Sequence, residues 1–176
     1  MKKIILSAVV MLASVAGYAQ HAVGSLSLKP EVGLSFANVT KSNGDAKVGF
    51  IGGAEFEYQA TDIVSLTFGA LYSMQGAKVP SGTDLKLDYI NVPVLANVYV
   101  VPGLAVKLGL QPGFLVSNNS LASPKSFDLS IPIGLSYEFN NFVVDGRYNF
   151  GVTKVWDNTD SKNSVFQLTL GYKFDL

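Results

Sequence analysis

The chain contains no cysteine. That excludes a disulfide scaffold, a thiolate metal site, a cysteine nucleophile and a lipid anchor on a cysteine. It has one histidine, His21, close to the amino terminus, so the body of the chain offers no imidazole as general base or metal ligand. Charge is scarce and balanced: thirteen basic and thirteen acidic residues, 15% of the chain, against about a quarter in soluble domains. No field of one sign is present to recruit nucleic acid or an acidic substrate. Beyond Gln20 there is no long apolar run, which excludes an α-helical membrane protein. The 176 residues suffice for one domain and not for two. What is plentiful is glycine and aromatic side chains.

The single apolar run opens the chain. Lys2 and Lys3 precede Ile4 to Ala16, and Gly17-Tyr18-Ala19 follows as a small-x-small site. This is the pattern of an export leader cut before Gln20. A retained anchor is the rival reading, but the run falls short of the roughly 20 residues that span a bilayer. The expected organisation is a leader over residues 1–19 and one domain over residues 20–176.

From Leu26 onward apolar and polar residues alternate. Val32, Leu34 and Phe36 share one face and Glu31, Gly33 and Ser35 the other; Leu66, Phe68 and Ala70 oppose Ser65, Thr67 and Gly69. The same holds for Ile131, Ile133, Leu135 and Tyr137 against Gly134, Ser136 and Glu138. Eight segments of this kind, each of about ten residues or more, are the strand signature, and none reads as helix. Short turns fall at Thr61-Asp62, Pro102-Gly103 and Asn140-Asn141. Longer polar connections fall near Thr40 to Lys47, Gly76 to Lys86, Asn118 to Lys125 and Asp157 to Asn163. Alternating short and long connections predict an all-β fold, an eight-stranded antiparallel up-and-down transmembrane β-barrel.

Bulk decides which face points outward. The apolar face carries Phe36, Phe50, Phe56, Phe68, Phe114, Phe127, Phe139 and Phe166, whereas the polar face is mostly small. The bore of an eight-stranded barrel is just wide enough for side chains to fill, so the rings are expected outside, in lipid. Tyr58, Tyr137, Phe139, Phe142, Tyr172 and Phe174 flank the short turns or the carboxyl end and are expected to form a girdle at one interface.

The polar face then brings Lys29, Glu31, Glu55, Glu57, Lys107, Asp128, Glu138, Asp145, Arg147 and Lys173 inside as a lumen charge network. Buried ions must pair, and the Arg147 guanidinium can hold a carboxylate with two donors. A simple closing register sets Glu31 opposite Lys173 and Lys29 opposite Asp175. The network reads either as a gated ion path or as a structural plug, and the narrow bore favours the plug. Pro93, Pro112 and Pro132 each remove a ladder donor at similar height, which predicts a bulge or gap. Asp157-Asn158-Thr159-Asp160-Ser161 lacks the glycine and terminal Glu of a calcium loop. No serine has a recognisable base. No catalytic, cofactor-binding or metal residue is expected, and no enzyme.

The segments Asp88-Tyr89-Ile90-Asn91-Val92-Pro93-Val94, Gly109-Leu110-Gln111-Pro112-Gly113, Asp145-Gly146-Arg147-Tyr148-Asn149-Phe150-Gly151 and the closing strand resemble the PorT-like family of outer-membrane β-barrel proteins. More loosely, the chain is similar to OmpX-type eight-stranded barrels. The resemblance runs from about Leu28 to the end; Asn91 stands where that family usually carries an acidic residue. It implies the barrel fold and the bacterial outer membrane, and no activity is carried over. The closing strand, with Phe174 near its end, also resembles the terminal signal read by barrel-assembly machinery, although Leu176 takes the place of the commoner Phe.

The expected partners are outer-membrane lipid, that machinery during biogenesis, and an unidentified protein at the surface or in the periplasm. The expected role is structural or surface-interacting, through the longer loops. The alternatives are a narrow pore for small solutes or ions and a soluble, lipocalin-like ligand-binding barrel.

Overall fold

Strict alternation is compatible with a sheet that has a different solvent on each side, and closing that sheet removes its edges. The computed structural model describes residues 21–39, 45–78, 85–118, 126–153 and 162–176. The leader, its cut, and the Asp157 to Ser161 segment lie outside the described residues. Ten strands follow one another: β1 (Leu26–Val39), β2 (Asp45–Gln59), β3 (Val64–Lys78), β4 (Leu85–Asn91), β5 (Val94–Val101), β6 (Leu104–Asn118), β7 (Phe127–Phe139), β8 (Phe142–Gly151), β9 (Asn163–Tyr172) and β10 (Phe174–Asp175). β4 and β5 form one stave, since both lie between β3 and β6. β9 and β10 form another along β1. The result is a closed antiparallel meander of eight staves, with β1 bonded to β2 on one side and to β9 and β10 on the other.

The strands run further toward the long connections than the polar composition implied. β2 begins at Asp45, paired with Lys78, and β4 begins at Leu85, paired with Ala77. A polar residue does not end a strand whose backbone still has a ladder partner. At the opposite end the turns are tight: Gly103 (φ 79°) and Asn140 (φ 54°) take the left-handed conformation, which glycine and asparagine tolerate best.

The proline irregularity is present in two forms. Val92 and Pro93 interrupt the fourth stave and divide it into β4 and β5. Isolated bonds hold it in place there, from Val92 N–H to the Pro112 carbonyl (2.8 Å) and from Gly69 N–H to the Pro93 carbonyl (3.2 Å). Between β6 and β7 the register lapses from Leu108↔Ile133 to Gln111↔Ser130, across the residues that include Pro132.

The faces sort as bulk requires. Phe50, Phe68, Phe114, Phe127, Phe139 and Phe166 are exposed on the outer surface, Phe139 to 50%. Tyr58, Phe139, Phe142, Tyr172 and Phe174 form an exposed aromatic group at the short-turn end, with Tyr137 half-buried among them. Phe142 and Tyr172 meet edge to face at 5.1 Å, and Tyr172 lies 4.7 Å from Phe174. A soluble barrel with its rings turned inward is thereby excluded. The interior is less uniformly small than its glycines and serines suggested. Ile51, Leu71, Leu87, Leu95, Tyr89 and Tyr99 are also buried there. Alternation places them in phase with the lumen residues on either side of them, and inward glycines leave them room.

Candidate functional site: a layered charge network in the lumen

Alternation aims every second residue of a stave at the bore, and staves far apart in sequence thus bring ions to one level. The middle layer joins Lys29 and Glu31 of β1, Glu55 of β2, Lys107 of β6, and Asp145 and Arg147 of β8. All six are at most 2% exposed. Arg147 is its centre. The guanidinium donates from Nε and Nη2 to the two oxygens of Asp145 (3.0 and 3.1 Å), from Nη1 to Glu55 (2.8 Å) and from Nη2 to Glu31 (3.3 Å). The Lys29 ammonium lies 2.9 Å from Glu31 and 2.8 Å from Glu55. Lys107 lies 2.5 Å from Asp145. The Thr169 hydroxyl donates to Glu31 (3.0 Å).

Three carboxylates thus face three cations, and the layer is neutral. Such compensation is what permits charges where water is excluded, since an unpaired buried ion costs several kcal/mol. Glu31, Glu55 and Asp145 offer oxygens within 4.8 Å of one another, a spacing open to a cation, but the three protein cations already occupy that role.

Glycine makes the layer fit. A Cβ built on Gly134 would stand 2.7 Å from Cβ of Arg147 and 2.6 Å from the Gly146 carbonyl; one on Gly171 would stand 2.8 Å from Cγ of Lys29. Both positions must stay bare for the two long cations to lie along the wall.

A second layer lies nearer the short turns. The Lys173 ammonium reaches Glu138 (2.5 Å) and Glu57 (3.2 Å). Glu57 accepts from the hydroxyls of Tyr99 and Ser65, both at 2.7 Å. Asn97 then donates to Ser65 and Thr67 (2.9 and 2.7 Å). His21, just ahead of β1, places Nε2 2.9 Å from Glu138 and Nδ1 2.8 Å from Asp175.

The expected closing pairs are corrected here. The register sets Glu31 opposite Gly171 and Ser27 opposite Asp175, two residues from the simple count. Pro30 has no N–H to give, so the ladder lapses between β9 and β10 and resumes in the same register at Leu28↔Phe174, while the Lys173 N–H faces the other neighbouring stave at the Asn141 carbonyl (2.7 Å). Lys173 consequently serves Glu57 and Glu138, not Glu31, and Asp175 meets His21 rather than Lys29.

A model of the outer membrane protein beta-barrel domain matches residues 18–157. The chain belongs to this family. Solved outer-membrane barrels share its fold. Ail, the attachment invasion locus protein of Yersinia pestis, is 20% identical over 87% of this chain and 100% of its own, with a TM-score of 0.57. Neisserial surface protein A (NspA) is 19% identical over 86% of this chain and 97% of its own, with a TM-score of 0.56. No curated protein sequence matches the chain.

Within this outer-membrane barrel, the structure places Glu31, Glu55, Lys107, Asp145 and Arg147 in the middle layer and Glu57, Glu138 and Lys173 in the second. Asp128 stands apart from both. It is half-buried toward the long-connection end and accepts from Thr153 (2.7 Å) and Asn163 (3.3 Å). Reading the sequence missed Tyr99, Thr169 and His21. Tyr99 and Thr169 carry a usable signal: Thr169 shares the parity of Lys173, already assigned inward, and Tyr99 shares that of Asn97, a polar residue between Ala96 and Val98. His21 carries none, because it precedes the alternating region.

Proposed function

We propose that this outer-membrane barrel is a closed, non-conducting anchor that holds its longer connections at the cell surface for contact with a partner. The middle charge layer carries the reading. Its six ions come from four staves spread round the wall, and each is almost wholly buried. A passing solute would have to displace a neutral, mutually ion-paired set within a bore sized for side chains. The motifs at Asp88 to Val94 and Asp145 to Gly151 support a place in the PorT-like branch. Residues 1–19 fit a leader removed on export, and the alternation ending in Phe174 fits recognition by assembly machinery.

Planar bilayer recordings of the folded barrel test the closed lumen. Brief, rare transitions at most are expected, and a large, steady open state in the wild type would overturn the reading. Protease added to intact cells tests the anchor. Cuts confined to the long connections are expected, with the barrel recovered in the membrane fraction; cuts at the short turns would reverse the orientation.

A further inference from the structure

The second charge layer does not balance by itself. Glu57 and Glu138 face one ammonium, that of Lys173. Among the described residues, the imidazole of His21 is the group placed to supply that positive charge at Glu138, and its geometry is specific. Nε2 faces a Glu138 oxygen at 2.9 Å and Nδ1 faces an Asp175 oxygen at 2.8 Å. An ionised carboxylate only accepts hydrogen bonds, and a neutral imidazole has one N–H. Serving both carboxylates at once requires both ring nitrogens to carry protons.

The backbone shows what this contact fastens. Residues 21–25 form a strap ahead of β1. Its base is pinned to β2, with Gly24 N–H donating to the Gln59 carbonyl (2.8 Å) and Gln59 N–H to the Ser25 carbonyl (3.0 Å). Gly24 turns the chain with φ 87°. From there the strap reaches Glu138 on β7, three staves from β1 in the order of the sheet. Its far end is held across the short-turn mouth by His21.

We propose that His21 is a proton-operated latch that fastens the amino-terminal strap across the short-turn mouth of the barrel. The groups that face it are Glu138 at the end of β7, Asp175 on β10 and Lys173 between β9 and β10. Glu57 and Tyr99 lie behind Lys173. The hydrogen bond to Glu138 raises the imidazole pKa above its ordinary 6.5. Partial burial and the Lys173 charge oppose that rise, and the charges of Glu138 and Asp175 add to it. The sign follows by linkage. A raised folded-state pKa means that the latch contributes in full below pH 6.5 and is lost as pH climbs through the raised value. Acid fastens the strap and alkali frees it.

The chain has no cysteine, so Val23→Cys gives a single attachment point for a nitroxide on the exposed part of the strap. The full chain, exported with its own leader and reconstituted in phosphatidylcholine vesicles, is followed by electron paramagnetic resonance from pH 5 to 9. The immobilised component is expected to dominate in acid and to fall in a one-proton step centred above pH 6.5. Asp175→Asn, at an exposed position, is expected to move the midpoint down. His21→Gln is expected to abolish the step while retaining the heat-modifiable gel mobility of a folded barrel. A spectrum that does not change with pH in the His21 protein, or a step that persists in His21→Gln, would overturn the latch.

Discussion

Arg147→Ala removes four hydrogen bonds at once, two to Asp145 and one each to Glu55 and Glu31. It also leaves three buried carboxylates facing only Lys29 and Lys107. Breaking a buried ion set by deleting one partner costs about 3–5 kcal/mol, and the upper half of that range is expected because every oxygen losing a donor belongs to a fully buried carboxylate. Arg147→Lys keeps the charge but replaces a planar fork with a point donor, so the loss should fall to about 1.5–3 kcal/mol. Adding Glu55→Gln to Arg147→Ala restores neutrality. The double variant should therefore be more stable than Arg147→Ala, with a coupling of about 1–3 kcal/mol. Urea unfolding in fluid phospholipid vesicles, followed by far-ultraviolet circular dichroism and gel mobility, reads all three. An Arg147→Ala protein within about 1 kcal/mol of wild type would refute the reasoning. So would a double variant less stable than Arg147→Ala.

Two further outcomes follow from the wall and its lipid face. Gly134→Val pushes a branched side chain into Arg147 and the Gly146 carbonyl; a loss of about 1–3 kcal/mol or more in the same assay is expected, whereas Gly146→Ala, which meets nothing within 4 Å, should be close to neutral. Leu170→Asp with Tyr172→Asp puts two carboxylates on the exposed outer face of the closing strand and should abolish heat-modifiable migration and membrane recovery.

The eight staves and their facing were legible because each strand meets two unlike solvents, and alternation writes that difference directly into sequence: Phe68 beside Gly69, Tyr148 beside Asn149. The membership of the charge network was legible for the same reason, since parity alone sends Glu31, Glu55 and Arg147 inward. The pairing within it was not. Which inward residue meets which depends on the stagger with which the barrel closes, and the β1 seam closes two residues from the simple count on both sides of the Pro30 lapse. Nor did local sequence announce His21, whose role depends on Glu138, more than a hundred residues away.

The ions of the middle layer are unevenly distributed along the chain. β1 and β2 contribute Lys29, Glu31 and Glu55, and together with Glu57 they hold three acids to one base; the compensating Lys107, Arg147 and Lys173 arrive with the later strands. A polypeptide interrupted before Lys107 therefore carries three inward acids on its first two strands with Lys29 alone to offset them. Completing the cylinder and balancing that excess are a single event, so a truncated product gains nothing by lingering in the bilayer.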